Sequence, residues 1–122
     1  MMSAQGTAAS LLNSLPPASY AAGANNGNWV DVRPYQGEMA CIIALGAVTG
    51  SVVVKLQDAT DGSGTGAADL AGATTASLST ANSAAKIVAK AGANRGFIRV
   101  VATVTTGPVF ASAAMAGHPG IV

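Results

Sequence analysis

Four stretches of this chain place apolar residues at every second position, and that alternation restricts the fold more than any other feature. Val52, Val54 and Leu56 alternate with Ser51, Lys55 and Gln57, and Ile98, Val100, Ala102 and Val104 alternate with Arg99, Thr103 and Thr105. Val30 and Val32 alternate with Asp31 and Arg33, and Met39, Cys41, Ile43 and Leu45 share one parity in the following run. A strand sends every second side chain to one face, whereas a helix would scatter these residues around its circumference. The β-branched enrichment points the same way. Residues 109–115 are expected to form a closing strand and residues 74–78 another.

The interruptions read as β punctuation. Residues 34–37, 46–50, 61–66 and 106–108 contain the Gly, Pro and Asp that tight turns need. Short strands broken at such intervals predict an all-β fold, an antiparallel β-sandwich of jelly-roll-like or immunoglobulin-like type. Residues 79–92 admit two readings. One is a helix capped by Ser79 or Thr80 and stopped at Gly92, with Lys86 and Lys90 four apart. The other is a loop followed by a strand over 85–90, which the β neighbours favour. There is no internal repeat.

Residues 1–27 differ from the rest, being rich in Ala, Ser, Gly and Asn and without a charged side chain. Pro16 and Pro17 would end any helical turn begun at Ala8. This segment reads as an N-terminal arm, extended or disordered, ahead of a sandwich domain at 28–122. Leu11, Leu12 and Leu15 are poor choices for permanent contact with water, so they are candidate contacts to another protein.

Composition narrows the function. Charged residues make up 9% of the 122-residue chain, against about 25% in a typical soluble domain. A surface so poor in charge suits a subunit covered by partners, the alternative being a secreted or thermally robust small domain. Six basic and five acidic residues are interspersed, giving a net charge of +1, so no basic patch marks a nucleic-acid partner. No apolar run approaches the ~18 residues of a membrane span. The first 24 residues hold no Lys or Arg, unlike a secretory signal. Cys41, the one cysteine, lies in an apolar run and reads as a buried, inert thiol.

Catalytic chemistry needs convergent titratable groups, and the chain has a single histidine, His118. Asp58, Asp61 and Asp69 bracket a glycine-rich stretch, but counting from Asp58 the sixth residue is Ser63 and the twelfth is Asp69. A calcium loop wants Gly and Glu there, so a hairpin tip at Asp61-Gly62 is the expectation. The G-x-G-x-G at Gly62, Gly64 and Gly66 has no Lys-Ser/Thr after it to bind phosphate. The chain is expected to be no enzyme and to carry no cofactor or metal. Trp29 has the parity opposite Val30 and Val32, which makes it either a contact anchor or a cover for one end of the sandwich.

The string from Asn25 to Glu38, NNGNWVDVRPYQGE, resembles the opening strand and turn of small structural proteins of tailed bacteriophages. Val48-Thr49-Gly50, the Val-Lys-Leu-Gln-Asp strand ending at Asp58, Asp61-Gly62, the run from Phe97 to Val104, and Gly117-His118-Pro119 resemble the same family in order. The resemblance covers residues 25–119 and carries no catalytic motif. It implies a virion protein of the head decoration, or cement, type, made in the host cytoplasm and located on the capsid. The partner it implies is the major capsid protein, with self-association, for example as a trimer, and no nucleic acid or membrane. Trp29 and Arg99 are the candidate contacts on the sandwich itself. The rival readings are a head–tail connector or tail-tube subunit, and a receptor- or carbohydrate-binding module displayed on the virion. Five scattered aromatics argue against the last.

Overall fold

The computed structural model describes residues 10–90 and 95–119. Among these residues there are strands and no helix: β1 (Ser10–Tyr20), β2 (Gly23–Asn26), β3 (Val30–Asp31), β4 (Tyr35–Val48), β5 (Ser51–Ala59), β6 (Ala68–Thr74), β7 (Ala84–Lys90), β8 (Phe97–Thr105) and β9 (Val109–Pro119).

The pairing is a nested antiparallel ladder. β1 pairs with β9, β2 and β3 with β8, β4 with β7, and β5 with β6. The first half of the chain thus runs back along the second, with the turn between β5 and β6 as its tip. Rolling the ladder brings β4 against β9 and β5 against β8. The first sheet then reads β1-β9-β4-β7, and the second β2-β8-β5-β6 with β3 beside β8. With β2 and β3 taken as one interrupted strand, this is the jelly-roll order, which decides between the two sandwich types the sequence allowed.

The sequence alternation becomes the two inner faces. Met39, Cys41, Ile43 and Leu45 of β4 and Val109, Ala111, Ala113 and Met115 of β9 belong to one buried cluster with Val52, Val54 and Leu56 of β5 and Ile98, Val100, Ala102 and Val104 of β8. Residues 84–90 form strand β7 in register with β4, from Glu38 opposite Lys90 to Ala44 opposite Ala84, so the helical reading of 79–92 is wrong for this part. Alanine's helix preference is weak, and the ladder to β4 together with burial of Ile87 overrides it. The strand expected at 74–78 is displaced: β6 ends at Thr74, and Leu78 keeps only an isolated bridge to Val52. Thr75 intervenes, its Oγ1 accepting from Val54 N at 3.1 Å and its own N donating to Val54 O at 2.8 Å.

The arm reading fails for residues 10–26. β1 is an edge strand of the first sheet along the last strand of the chain, and β2 is an edge of the second. Prolines 16 and 17 are tolerated because an edge strand has one side without ladder bonds, and the register with β9 shifts around them. Residues 1–9 lie outside the described residues.

A buried hydroxyl joins the two sheets at this corner. β2 leaves β8 after Asn26 and β3 rejoins it at Val30. In the gap, Val100 N donates to Ser14 Oγ at 2.9 Å, Ser14 Oγ donates to Asn28 O at 2.7 Å, and Asn28 N donates to Ser14 O at 2.6 Å. Ser14 is fully buried, and it substitutes for the missing strand partner that buried backbone groups require. Gly27 is held there by space, since a Cβ would sit 2.7 Å from both Ser14 O and Oγ.

Candidate functional site

The two outer faces of the roll have opposite character. All the charged residues except Glu38, Lys86 and Lys90 lie on the second sheet or the loops at its ends. There they are tied to one another. Arg99 Nε and Nη2 donate to Gln57 Oε1 at 3.0 and 2.8 Å, and Gln57 Nε2 donates to Asp69 Oδ1 at 2.9 Å. Lys55 Nζ donates to Asp69 Oδ2 at 3.1 Å. Strand register builds this ribbon, because Gln57 stands opposite Arg99 on one side and Asp69 on the other.

Trp29 and Arg99, the two contact candidates on the sandwich, meet: the guanidinium lies 4.6 Å from the indole centroid. Gly64 closes on the indole as well, for a Cβ there would come within 2.8 Å of Nε1. The half-buried Trp29 is therefore stacked against Arg99 within its own chain. Nearby, Arg33 grips Asp31 through Nε and Nη2 at 2.9 and 2.8 Å and lies 4.9 Å from the Phe97 centroid. Arg95 Nη2 donates to Asp58 Oδ1 at 2.9 Å and to Gly66 O at 2.6 Å.

The acidic stretch is a hairpin tip with its carboxylates already engaged. Asp61 Oδ1 accepts from Ser63 N and Thr65 N at 2.9 and 3.1 Å, and Oδ2 accepts from Thr65 Oγ1 at 2.6 Å. Asp58 and Asp69 turn to Arg95 and Lys55 instead. Among the described residues no group of three His, Cys, Asp or Glu is placed to hold a metal ion. Cys41 is buried, and the loss of water pushes its thiol up to about 12, leaving no thiolate near neutral pH. The side chain of His118 lies outside the described residues.

These pairings set an acid limit. The hydrogen bonds from Arg33 hold Asp31 down at about 2, and hydrogen bonds from Arg95, Thr65 and Gln57 lower Asp58, Asp61 and Asp69. A carboxylate depressed in the folded state stabilises it above the unfolded value of about 4 and loses that contribution as pH falls through the folded value. The melting temperature is expected to stay flat between pH 7 and 5 and to decline progressively from about pH 4 toward 2. A decline already under way between pH 7 and 5 would show that these carboxylates do not govern it.

The outer face of the first sheet is mostly apolar, with Asn13, Glu38, Lys86 and Ser112 set among small and aliphatic residues. Its rows run Ala116–Ala40–Val88, Ala114–Ile42–Lys86 and Ser112–Ala44–Ala84 across β9, β4 and β7. Phe110 rests against Gly46 beyond them, 3.3 Å from where a Cβ would be. Ile42, Val88 and Phe110 are 42%, 48% and 47% exposed, and they are the exposed large apolar side chains among the described residues. Lys86 and Lys90 lie on the edge strand β7, where lysines discourage the addition of a foreign strand.

The leucine candidates go elsewhere. Leu15 is 1% exposed, inside the core, and Leu12 packs against that core half-buried, so neither is a free contact. The sequence of their strand hides this, because it carries two prolines and no β-branched residue. The side chain of Leu11 lies outside the described residues, while its backbone stands opposite Ala116. Ile42, Val88 and Phe110 escaped sequence reading although parity marks them: each neighbours a core residue (Cys41 and Ile43, Ile87, Val109 and Ala111) and must point the other way.

No protein-family model matches this chain, and no curated protein matches it. A chain from a solved structure titled "Structure of infectious bursal disease virus Gx strain" is similar over 93% of this chain, at 11% identity and a TM-score of 0.41. This chain spans 34% of that one.

Proposed function

We propose that this protein is a structural subunit of a virion, and more finely a decoration protein on the head of a tailed bacteriophage, bound to the outside of the assembled shell. The observation that carries the reading is the division of the surface: charges engaged within the chain by ion pairs and hydrogen bonds over the second sheet and its loops, and a mostly apolar first-sheet face that water covers poorly. Such a surface suits burial against protein. The sequence resemblance over residues 25–119 supplies the setting, with the major capsid protein as partner. The work is mechanical: contacts repeated over many capsomers add burial and resist internal pressure, with no chemical step. With β1 built into the roll, the shell contact falls to the surface of the domain, and Trp29 and Arg99 remain its first suspects.

The test is to add the purified full-length protein to heads stripped of it, count copies bound, and heat the particles. Saturation at hundreds of copies with a raised temperature of DNA release is expected, and Trp29→Ala with Arg99→Ala is expected to weaken binding at least about tenfold, a loss of ~1.4 kcal/mol. Saturation at six or twelve copies would replace decoration by a connector or tail role. No binding to any part of the particle would remove the virion reading.

A further inference from the structure

We infer that the apolar outer face of the first sheet is the contact between two copies of this chain, packed face to face about a two-fold axis that runs along the strands between β4 and β9. This rests on the reading that the protein works through protein contacts, and it names the occupant of one face.

The face is complementary to itself under that operation. A two-fold between β4 and β9 keeps each row at its own height and reverses its order. The row Asn13–Ala114–Ile42–Lys86 of one copy then lies across Lys86–Ile42–Ala114–Asn13 of the other. Ile42 of each copy meets Ala114 of its partner, a large side chain over a small one, as interdigitating sheets require. Lys86, whose amine has no ion-pair partner among the described residues, comes over Asn13 at the opposite rim. With the Asn13 amide turned to the orientation its neighbours satisfy, its nitrogen donates to Ala113 O and Leu15 O at 3.1 Å each, and its carbonyl oxygen is left to accept from that amine. No like charges are opposed in this row. The neighbouring rows set Ala40 over Ala116 and Ala44 over Ser112, small residues that let the sheets approach closely.

The area fits a weak, reversible association. Four strands ~4.8 Å apart and about seven residues long at ~3.4 Å each give a face of roughly 450 Å². Two such faces hide about 900 Å², just below the ~1,000 Å² of a stable specific interface. Association is therefore expected to be weak and to depend on protein concentration.

Sedimentation velocity on the full-length protein over a wide concentration range tests this, with circular dichroism to confirm folding. A monomer–dimer equilibrium is expected. Ile42→Ala, which removes the large partner, and Ala114→Ile, which fills the small one, should each weaken it about tenfold or more. The double variant I42A/A114I exchanges large and small in both copies and should restore it. A monomer at every concentration, an assembly of another order, or a dimer indifferent to both single variants would overturn the proposal. A monomer that still binds heads would sink this inference alone, and a dimer that binds no head would sink the proposed function alone.

Discussion

A chain lacking residues 1–20 is expected to show no cooperative unfolding transition and to lose its β circular-dichroism spectrum, because the first strand holds the roll shut. Three losses combine. Leu15 leaves the core, and Leu→Ala at such a site alone costs about 2–5 kcal/mol. Ser14 takes with it the acceptor of Val100 N and the donor to Asn28 O, and stranding buried groups of this kind costs about 1–3 kcal/mol. The ladder partner of β9 from Val109 to Gly117 disappears, leaving that strand as a new open edge. Against a total stability of about 5–15 kcal/mol, these are enough to unfold the domain. Ser14→Ala and Leu15→Ala in the full-length chain separate the first two, each lowering the urea midpoint without abolishing the transition. An arm that orders only on a partner would behave oppositely, and a truncated chain with an unchanged spectrum and a cooperative melt would restore it.

Val100→Asp is expected to prevent folding, whereas Thr103→Asp, three residues further along the same strand, is expected to leave the fold intact. Val100 is fully buried at the centre of β8, and Thr103 is exposed on the outer face of the same strand. A carboxylate at 100 would be taken out of water among aliphatic side chains with no cation facing it, a penalty of several kcal/mol after relaxation. At 103 it stays hydrated. Expression in the soluble fraction followed by denaturant melts reads the difference. Equal tolerance of both substitutions would mean that the inner and outer faces of the second sheet are assigned the wrong way round.

The fold class and most of the inner faces were legible in the sequence because they rest on local physics. Val52, Val54 and Leu56 declare a strand and its buried side without reference to any other residue, as do Ile98, Val100, Ala102 and Val104. The turn at Asp61 is equally local, since the Asp61 carboxylate closes it by capping Ser63 and Thr65. The decision at residues 84–90 was not local: alanine-rich sequence permits helix or strand, and only the β4 edge, some 45 residues upstream, selects the strand. The same holds more strongly for β1. Its prolines, small residues and lack of β-branching argue against a strand, and it exists because β9, about 100 residues away, offers an edge while the interrupted ladder of β8 offers Ser14 a place.

The candidate surface divides in the same way. Sequence alone marked Trp29 and Arg99 but could not bring them to 4.6 Å, because one lies on the approach to β3 and the other on its partner strand. It showed few charges without showing that register ties Lys55, Gln57, Asp69 and Arg99 into one ribbon on the second sheet. Periodicity determines which side of a strand is apolar. Which strands become neighbours, and hence which outer face is left apolar, depends on pairings between distant segments whose loop-closure cost and burial are settled only when the whole roll closes.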